Sequence, residues 1–246
     1  GFYTGFVARH PEHDIFIYPS YFFFRTSKDI PRENCFLNTC SYADHVGRYD
    51  PNYVCTVDLN LEKRDGLGTL LNRLGLTNKG AEVGVLRGGF SNMILSQWTG
   101  KKLYLVDCWE HQDDNVYIDT NNGNDDRHNF NLEVSKRIVS KYPGRYELVK
   151  DYSLPASKRF ADGELDFVYI DARHDYDGVT EDLEAWYPKV KSGGLISGHD
   201  LVPDEFLEHA RKFGAFDVKR ALVDFIVKHS IQATVRVTYK DDIYQS

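Results

Sequence analysis

The 246-residue sequence predicts a doubly wound α/β domain: a seven-stranded, mostly parallel sheet with a final antiparallel hairpin, preceded by an irregular N-terminal arm. Three observations lead there. From Gly66 onward, short apolar runs alternate with segments of helical spacing. A glycine-rich turn, Gly84 to Gly89, follows the first of those runs and opens an apolar helix. Finally, Leu165 to Asp200 reads as one strand-helix-strand unit, with apolar runs at Leu165 to Ile170 and Gly194 to Ser197. Between them Val179, Leu183, Trp186 and Val190 recur at helical spacing.

Residues 1–62 form the arm. They hold many aromatics, several prolines and no sustained periodicity, and Tyr18, Tyr21, Phe22, Phe23 and Phe24 either pack the arm onto the core or line a substrate pocket. Residues 63–246 carry the α/β grammar. Leu67, Leu70, Leu71 and Leu74 mark a short amphipathic helix, and Ala81 to Val85 is the first strand. After the glycine turn comes a helix with Met93, Ile94, Leu95 and Trp98, then a strand, Leu103 to Val106, closed by Asp107. The stretch Glu110 to Arg127 is dense in Asn, Asp and Gly and reads as a long loop of the kind that forms lids or binding segments. Phe130, Val134, Ile138 and Tyr142 predict the next helix, which Pro143 and Gly144 end. Tyr146 to Val149 is a strand and Pro155 to Phe160 a short helix. Beyond the central unit, helices are expected over Asp204 to Lys212 and Asp217 to His229, the second with Val218, Leu222, Phe225 and Ile226 on one face, and a last strand at Gln232 to Tyr239.

A formal charge of -7 with scattered lysines and arginines argues against nucleic acid as the partner and favours a small or uncharged substrate. No apolar run is long enough to span a bilayer; the longest, Asp14 to Phe24, is interrupted by Pro19. Self-association into a homo-oligomer is left open. Cys35, Cys40, Cys55 and Cys108 lack zinc-site spacing. If they pair, the secretory or Golgi lumen is indicated; if they are free thiols, the cytoplasm.

In a parallel unit the carboxyl ends of the strands open on one edge of the sheet, where such sheets bind ligands. Asp171 with His174, and His199 with Asp200, stand at two such ends. Asp175 and Asp177 are better placed than Asp171 to cap the following helix, which leaves Asp171 for the pocket. The glycine turn would bring helix N-terminal amides to a ligand, and Asp107 is placed to accept hydrogen bonds from both hydroxyls of a ribose. The turn lacks the dinucleotide pattern, because Val85 to Arg87 separate its glycine positions. His10, His13, His111 and His128 lie in polar stretches and read as surface residues, with His111 the one that a closing loop could bring over a ligand. The acidic run Glu181, Asp182 and Glu184 reads as a solvated helix face.

Together the acidic-x-Gly-x-x-x-Gly turn in GVLRGGFS, the acidic strand end in LYLVDCWEHQ, the block DFVYIDARHDYDGVTEDLEAW with GGLISGHD, and the later DVKRALVDF resemble class I S-adenosylmethionine-dependent methyltransferases. The branch most similar holds bacterial sugar and macrolide-sugar O-methyltransferases; the plant caffeoyl-CoA type is more distant. The resemblance spans about Gly66 to Tyr239 and implies a Rossmann-like sheet with S-adenosylmethionine as cofactor. It places Glu82, Gly84, Gly88 and Ser91 around the methionine part, Asp107 on the ribose, and Asp151, Tyr152 and Ser153 near the adenine, with Trp109 a neighbour and Asp171 facing the cofactor. It also implies a divalent ion, Mg²⁺ or Mn²⁺, on Asp171, His199 and Asp200, with His174 as general base and a sugar or glycan hydroxyl as acceptor. A catechol-like or other small natural product is the alternative acceptor. A nicotinamide-dependent oxidoreductase is disfavoured by the glycine spacing, and a non-catalytic binding protein by the competent side chain at every expected position.

Overall fold

The computed structural model describes residues 9–10, 13–14, 20–25, 64–202 and 204–229. In chain order the elements are β1 (Ser20–Arg25), α1 (Leu67–Arg73), β2 (Lys79–Val83), α2 (Gly89–Gln97), β3 (Lys102–Asp107), α3 (Asp125–Val139), β4 (Tyr146–Lys150), α4 (Ser153–Ser157), β5 (Leu165–Ile170), α5 (Tyr176–Trp186), β6 (Val190–Leu201), α6 (Asp204–Ala210) and α7 (Val218–Lys228). The sheet order is β1-β6-β5-β2-β3-β4. Strands β2 to β6 run parallel, as expected, and β1 pairs antiparallel with β6, Phe22 opposite Gly198 and Phe24 opposite Ile196. A two-residue ladder, Arg9–His10 with His13–Asp14, stands apart.

The arm is therefore not wholly irregular. Its aromatic run has strong strand propensity but no alternation, so periodicity could not assign it. The hairpin expected at Gln232 to Tyr239, and the seventh strand with it, lie outside the described residues, as do Cys35, Cys40, Cys55 and Tyr18.

Alternation along the buried strands feeds two cores. On β5, where all six residues are buried, Phe167 and Tyr169 join Leu67, Leu71, Ile94 and Trp98 on one face of the sheet. Val168 and Ile170 join Val179, Leu183, Trp186, Leu222 and Phe225 on the other. Of the predicted stripe, Val179, Leu183 and Trp186 are buried on α5, whereas Val190 lies past the helix and opens β6; the N-cap is Asp175, whose carboxylate accepts from the Gly178 amide at 2.9 Å. Asp171 is thus spared from capping.

Helix α3 departs from expectation. Phe130 is 57% exposed, lying under the Arg87 guanidinium, and the buried positions are His128, Asn131, Ser135 and Val139. The N-terminal part of this stripe is polar because it packs against the glycine turn, Arg87 Nε donating to Asn131 Oδ1 at 2.8 Å and the Ser135 hydroxyl facing Gly88, while Val139, with Ile138 and Tyr142 beside it, packs on the apolar core. His128 is therefore buried rather than a surface residue.

Candidate functional site

Strand order reverses at β2, the first strand of the parallel set, which lies between β5 on one side and β3 on the other, so a crevice opens beyond the carboxyl ends of these strands. Gly84 stands at that point with φ 88°, and a Cβ there would come within 1.9 Å of the Asp171 carbonyl oxygen. Only glycine allows the two strand ends to approach so closely. Gly88, φ 74°, is the N-cap of α2, and a Cβ there would come within 2.8 Å of the Ser135 hydroxyl oxygen.

Asp107, at the end of β3, organises this turn. One carboxylate oxygen accepts from the Val85 and Leu86 amides, both at 2.9 Å, and the other from the Trp109 amide at 2.8 Å. Trp109 is buried, its Nε1 donating to the Leu86 carbonyl at 2.9 Å. Below the turn Ser91 Oγ donates to Glu82 Oε2 at 2.5 Å, and both are buried. Burial raises the Glu82 carboxyl to about 8, with Asp171 and Asp107 adding to the effect and the Ser91 hydroxyl opposing it.

The second half of the site is a knot of carboxylates and imidazoles. His174 Nε2 lies 3.0 Å from Asp200 Oδ2 and 3.3 Å from Asp171 Oδ1, while its Nδ1 faces Asp119 Oδ2 at 3.4 Å. His199 Nδ1 lies 3.0 Å from the same Asp200 oxygen and 3.7 Å from Asp171. Burial alone would lower the pKa of His174, but Asp200, Asp119 and Asp171 override it and hold the value well above the ordinary imidazole range. His199 is raised likewise, burial being outweighed by Asp171 and Asp200. For Asp200 the burial penalty is outweighed by His199 and His174, and its carboxyl stays well below the usual range.

Both halves open into one cavity of about 1080 Å³. Of the residues predicted for the site, Glu82, Gly84, Asp107, Trp109, Asp151, Tyr152, Ser153, Asp171, His174, His199 and Asp200 line it. Gly88 and Ser91 are not among its walls; they support the turn from behind. Ser153 is already engaged: its hydroxyl donates to Asp182 and accepts from Trp186 Nε1 at 2.8 Å.

Sequence reasoning missed several walls. Asp119 and Tyr117 come from the long loop, Phe216 from the segment after α6, and His128 from α3. Asp182, expected on a solvated face, is buried and lines the cavity, and burial lifts its carboxyl to about 7 against the pull of Ser153 and Arg173. Its neighbours in the acidic run do behave as surface groups, Glu181 facing Arg173 and Glu184 facing Lys228 and His229. The one available signal for Asp182 was its spacing, one residue before Leu183 and four before Trp186 on the buried stripe.

With this geometry in view, the family model of a methyltransferase domain matches residues 81–201, which run from β2 through β6. The fold over these residues is that of a methyltransferase. No curated protein matches the chain significantly. Among solved structures, the methyltransferase is similar to an O-methyltransferase from Bacillus cereus in complex with S-adenosylhomocysteine, with 15% identity, 67% of this chain and 68% of that one covered, and a TM-score of 0.48. It is also similar to cofactor-bound Rv0187 from MTB (17% identity, 65% of each chain, TM-score 0.46) and to an rRNA methylase from Streptococcus thermophilus (12%, 62% and 70%, 0.40).

The cavity of the methyltransferase fits S-adenosylmethionine. A sulfonium cation would enter between the carboxylates of Asp107 and Asp171, and the buried Nε2 of His128 has no protein partner among the described residues. Its volume exceeds what one drug-sized ligand usually fills, leaving room for an acceptor. Toward a divalent cation the donors also fit: Asp171, His174 and Asp200 offer ligand atoms within 4.8 Å of one another.

Proposed function

We propose that this methyltransferase moves the methyl group of S-adenosylmethionine to a hydroxyl of a sugar or glycan with the help of a divalent cation. The observation that carries the reading is the shared cavity: the two carboxylates Asp171 and Asp200, with two imidazoles between them, open onto the same space as the glycine turn and Asp107. The wall beyond them is rich in hydrogen-bonding groups, Gln112, Asp119, Thr120 and Asn121, beside the half-exposed rings of Tyr152 and Phe213. Such a mix suits a hydroxylated ring that stacks on one face and hydrogen-bonds at its rim.

In this reading Asp171, His174 and Asp200 hold the cation, Mg²⁺ or Mn²⁺, and the two histidines exchange the roles that the family likeness suggested. His174 offers a ligand atom within the cluster that Asp171 and Asp200 form, whereas His199 stands beside that cluster, its Nδ1 against the same two carboxylates. When bound, a divalent cation supplies positive charge that lowers the pKa of the acceptor hydroxyl and of a neighbouring imidazole. His199 then takes the hydroxyl proton. Asp107 fixes the ribose and the glycine turn the methionine end, so the methyl carbon faces the acceptor oxygen. The oxygen attacks in line, the carbon–sulfur bond breaks, and S-adenosylhomocysteine leaves.

Calorimetric titration with S-adenosylhomocysteine, before and after adding Mn²⁺, tests the cofactor and cation together. Methyl transfer from labelled S-adenosylmethionine to a panel of saccharides and catechols then tests the acceptor. Transfer to saccharides supports the reading; transfer only to catechols refutes the sugar assignment, and absence of S-adenosylhomocysteine binding refutes the enzyme.

A further inference from the structure

His174 is held from two sides by segments remote from it in sequence. The loop 113–124 and the segment 211–217 are joined by backbone hydrogen bonds, Thr120 N to Phe213 O at 3.2 Å and Ala215 N to Ile118 O at 2.9 Å, with Asp119 bridged to Gly214. The Asp217 amide in turn donates to the His174 carbonyl at 2.8 Å. The clasp delivers one side chain from each segment to the imidazole. Phe216 stacks on its face, centroids 5.3 Å apart and planes 2° from parallel. Asp119 meets its edge, with Oδ2 3.4 Å from Nδ1, and its side chain is 6% exposed. The other oxygen of Asp119 accepts from the Asn121 amide at 2.7 Å, which fixes the carboxylate in the loop.

We propose that Asp119 is a positioning residue that holds His174 with its Nδ1 proton toward the loop and its Nε2 toward Asp171 and Asp200, forming a carboxylate–histidine–cation relay. The inference rests on the cation reading above. A histidine that ligates a metal commonly gives its other ring N–H to a carboxylate, and the partner fixes both tautomer and ring orientation. Here the two ring nitrogens are already divided in that way, Nδ1 to Asp119 and Nε2 to the pair that closes the cluster. Phe216 removes the remaining freedom, rotation of the ring out of that plane. Asp119 itself does not reach the cluster of candidate ligands, so its part is played through His174. A nitrogen donor held in this way also favours Mn²⁺ or Co²⁺ over Mg²⁺, which prefers oxygen.

The test is Mn²⁺ binding to the full chain, measured by calorimetry together with the nitrogen coupling in the pulsed electron paramagnetic resonance spectrum of the bound ion. Asp119→Asn keeps an acceptor for the Asn121 amide and hence the loop, but removes the carboxylate. It should weaken Mn²⁺ binding by about 10- to 100-fold, the range found for such outer partners. Asp119→Glu should recover part of that loss, S-adenosylhomocysteine affinity should stay close to wild type, and His174→Ala should abolish the nitrogen coupling. Unchanged Mn²⁺ affinity and coupling in Asp119→Asn would overturn the inference while leaving the cation reading intact. A wild-type protein that binds S-adenosylhomocysteine but neither Mn²⁺ nor Co²⁺ would overturn both.

Discussion

Asp182→Asn should make the protein more stable as pH rises, relative to wild type. The side chain sits on the buried stripe of α5, accepting from Ser153, and burial lifts its carboxyl from the ordinary 3.8 to about 7. The folded state therefore keeps a proton that the unfolded chain gives up near pH 4. The stability linked to this proton is fully present below about pH 4 and is lost as pH climbs through about 7, a total of about 4 kcal/mol. Asparagine cannot ionise, and its amide oxygen can still accept from Ser153, so the variant lacks this loss. Any cost of the new amide is a constant offset, and the pH-dependent part of the comparison is the carboxyl alone. Between pH 5 and pH 8 the difference between variant and wild type should grow by about 3 kcal/mol in favour of the variant. With urea slopes of about 2 to 3 kcal/mol per molar, that is a relative shift in midpoint of about 1 M. Urea unfolding followed by circular dichroism at pH 5, 6, 7 and 8 measures it. A difference that stays flat across this range would show that Asp182 is ionised throughout and that its burial is compensated by Arg173 or by solvent.

Glu82→Gln should fold and bind S-adenosylhomocysteine normally at pH 7, since the wild-type carboxyl, raised to about 8, already holds its proton there. Above pH 8 its unfolding midpoint should exceed that of wild type, because the stability that Glu82 draws from keeping its proton disappears as pH rises through that value. Gly84→Ala should cost about 2 to 5 kcal/mol, from the left-handed backbone and from a methyl group driven into the Asp171 carbonyl, and should weaken S-adenosylhomocysteine binding in the same calorimetric assay. Asp171→Asn should reduce methyl transfer by at least about 100-fold with the fold intact by circular dichroism, and chelation of wild type should do the same, reversibly on adding Mn²⁺. Full activity in either would remove the cation from the mechanism.

Much of the fold was legible because its signals are local. Apolar runs bounded by turns gave the parallel strands, and the stripe Val179, Leu183, Trp186 gave α5 with its cap at Asp175. That Asp171 and Asp200 would line the cavity was legible because strand ends on a parallel sheet have one address. What failed was whatever depends on a partner distant in sequence. Helix α3 buries His128, Asn131 and Ser135 because its N-terminal half faces the glycine turn, so apolar periodicity found Ile138 and Tyr142 against the core but misplaced Phe130, which is exposed. Asp119 lies fifty-five residues from His174 in a stretch crowded with other acids and amides, and only the clasp singles it out. Asp182 was hidden by its charged neighbours, whose company suggested solvent.

The left-handed backbone at the site shows the same division. Leu86, Trp109 and Asp200 have φ of 52°, 42° and 56°, and each stands at the ligand-binding edge, after β2, after β3 and near the end of β6. None is glycine, so no residue type announces the strain, which costs about 1 to 2 kcal/mol at each position. For two of them the structure supplies the restraint: Asp107 accepts from the Leu86 and Trp109 amides at once, and Trp109 Nε1 closes the loop onto the Leu86 carbonyl. One carboxylate thus locks both turns that would cradle the cofactor, in addition to any bond it makes to a ribose. Asp107→Asn separates these duties. Its amide oxygen can serve either the Val85 and Leu86 amides or the Trp109 amide, while its NH₂ group, a donor only, must face the other set. If Asp107 only bound ribose, the variant would lose S-adenosylhomocysteine affinity with its unfolding midpoint unchanged. If it also locks the turns, stability should fall by about 2 to 4 kcal/mol in the ligand-free protein, and amide exchange at Leu86 and Trp109 should accelerate together.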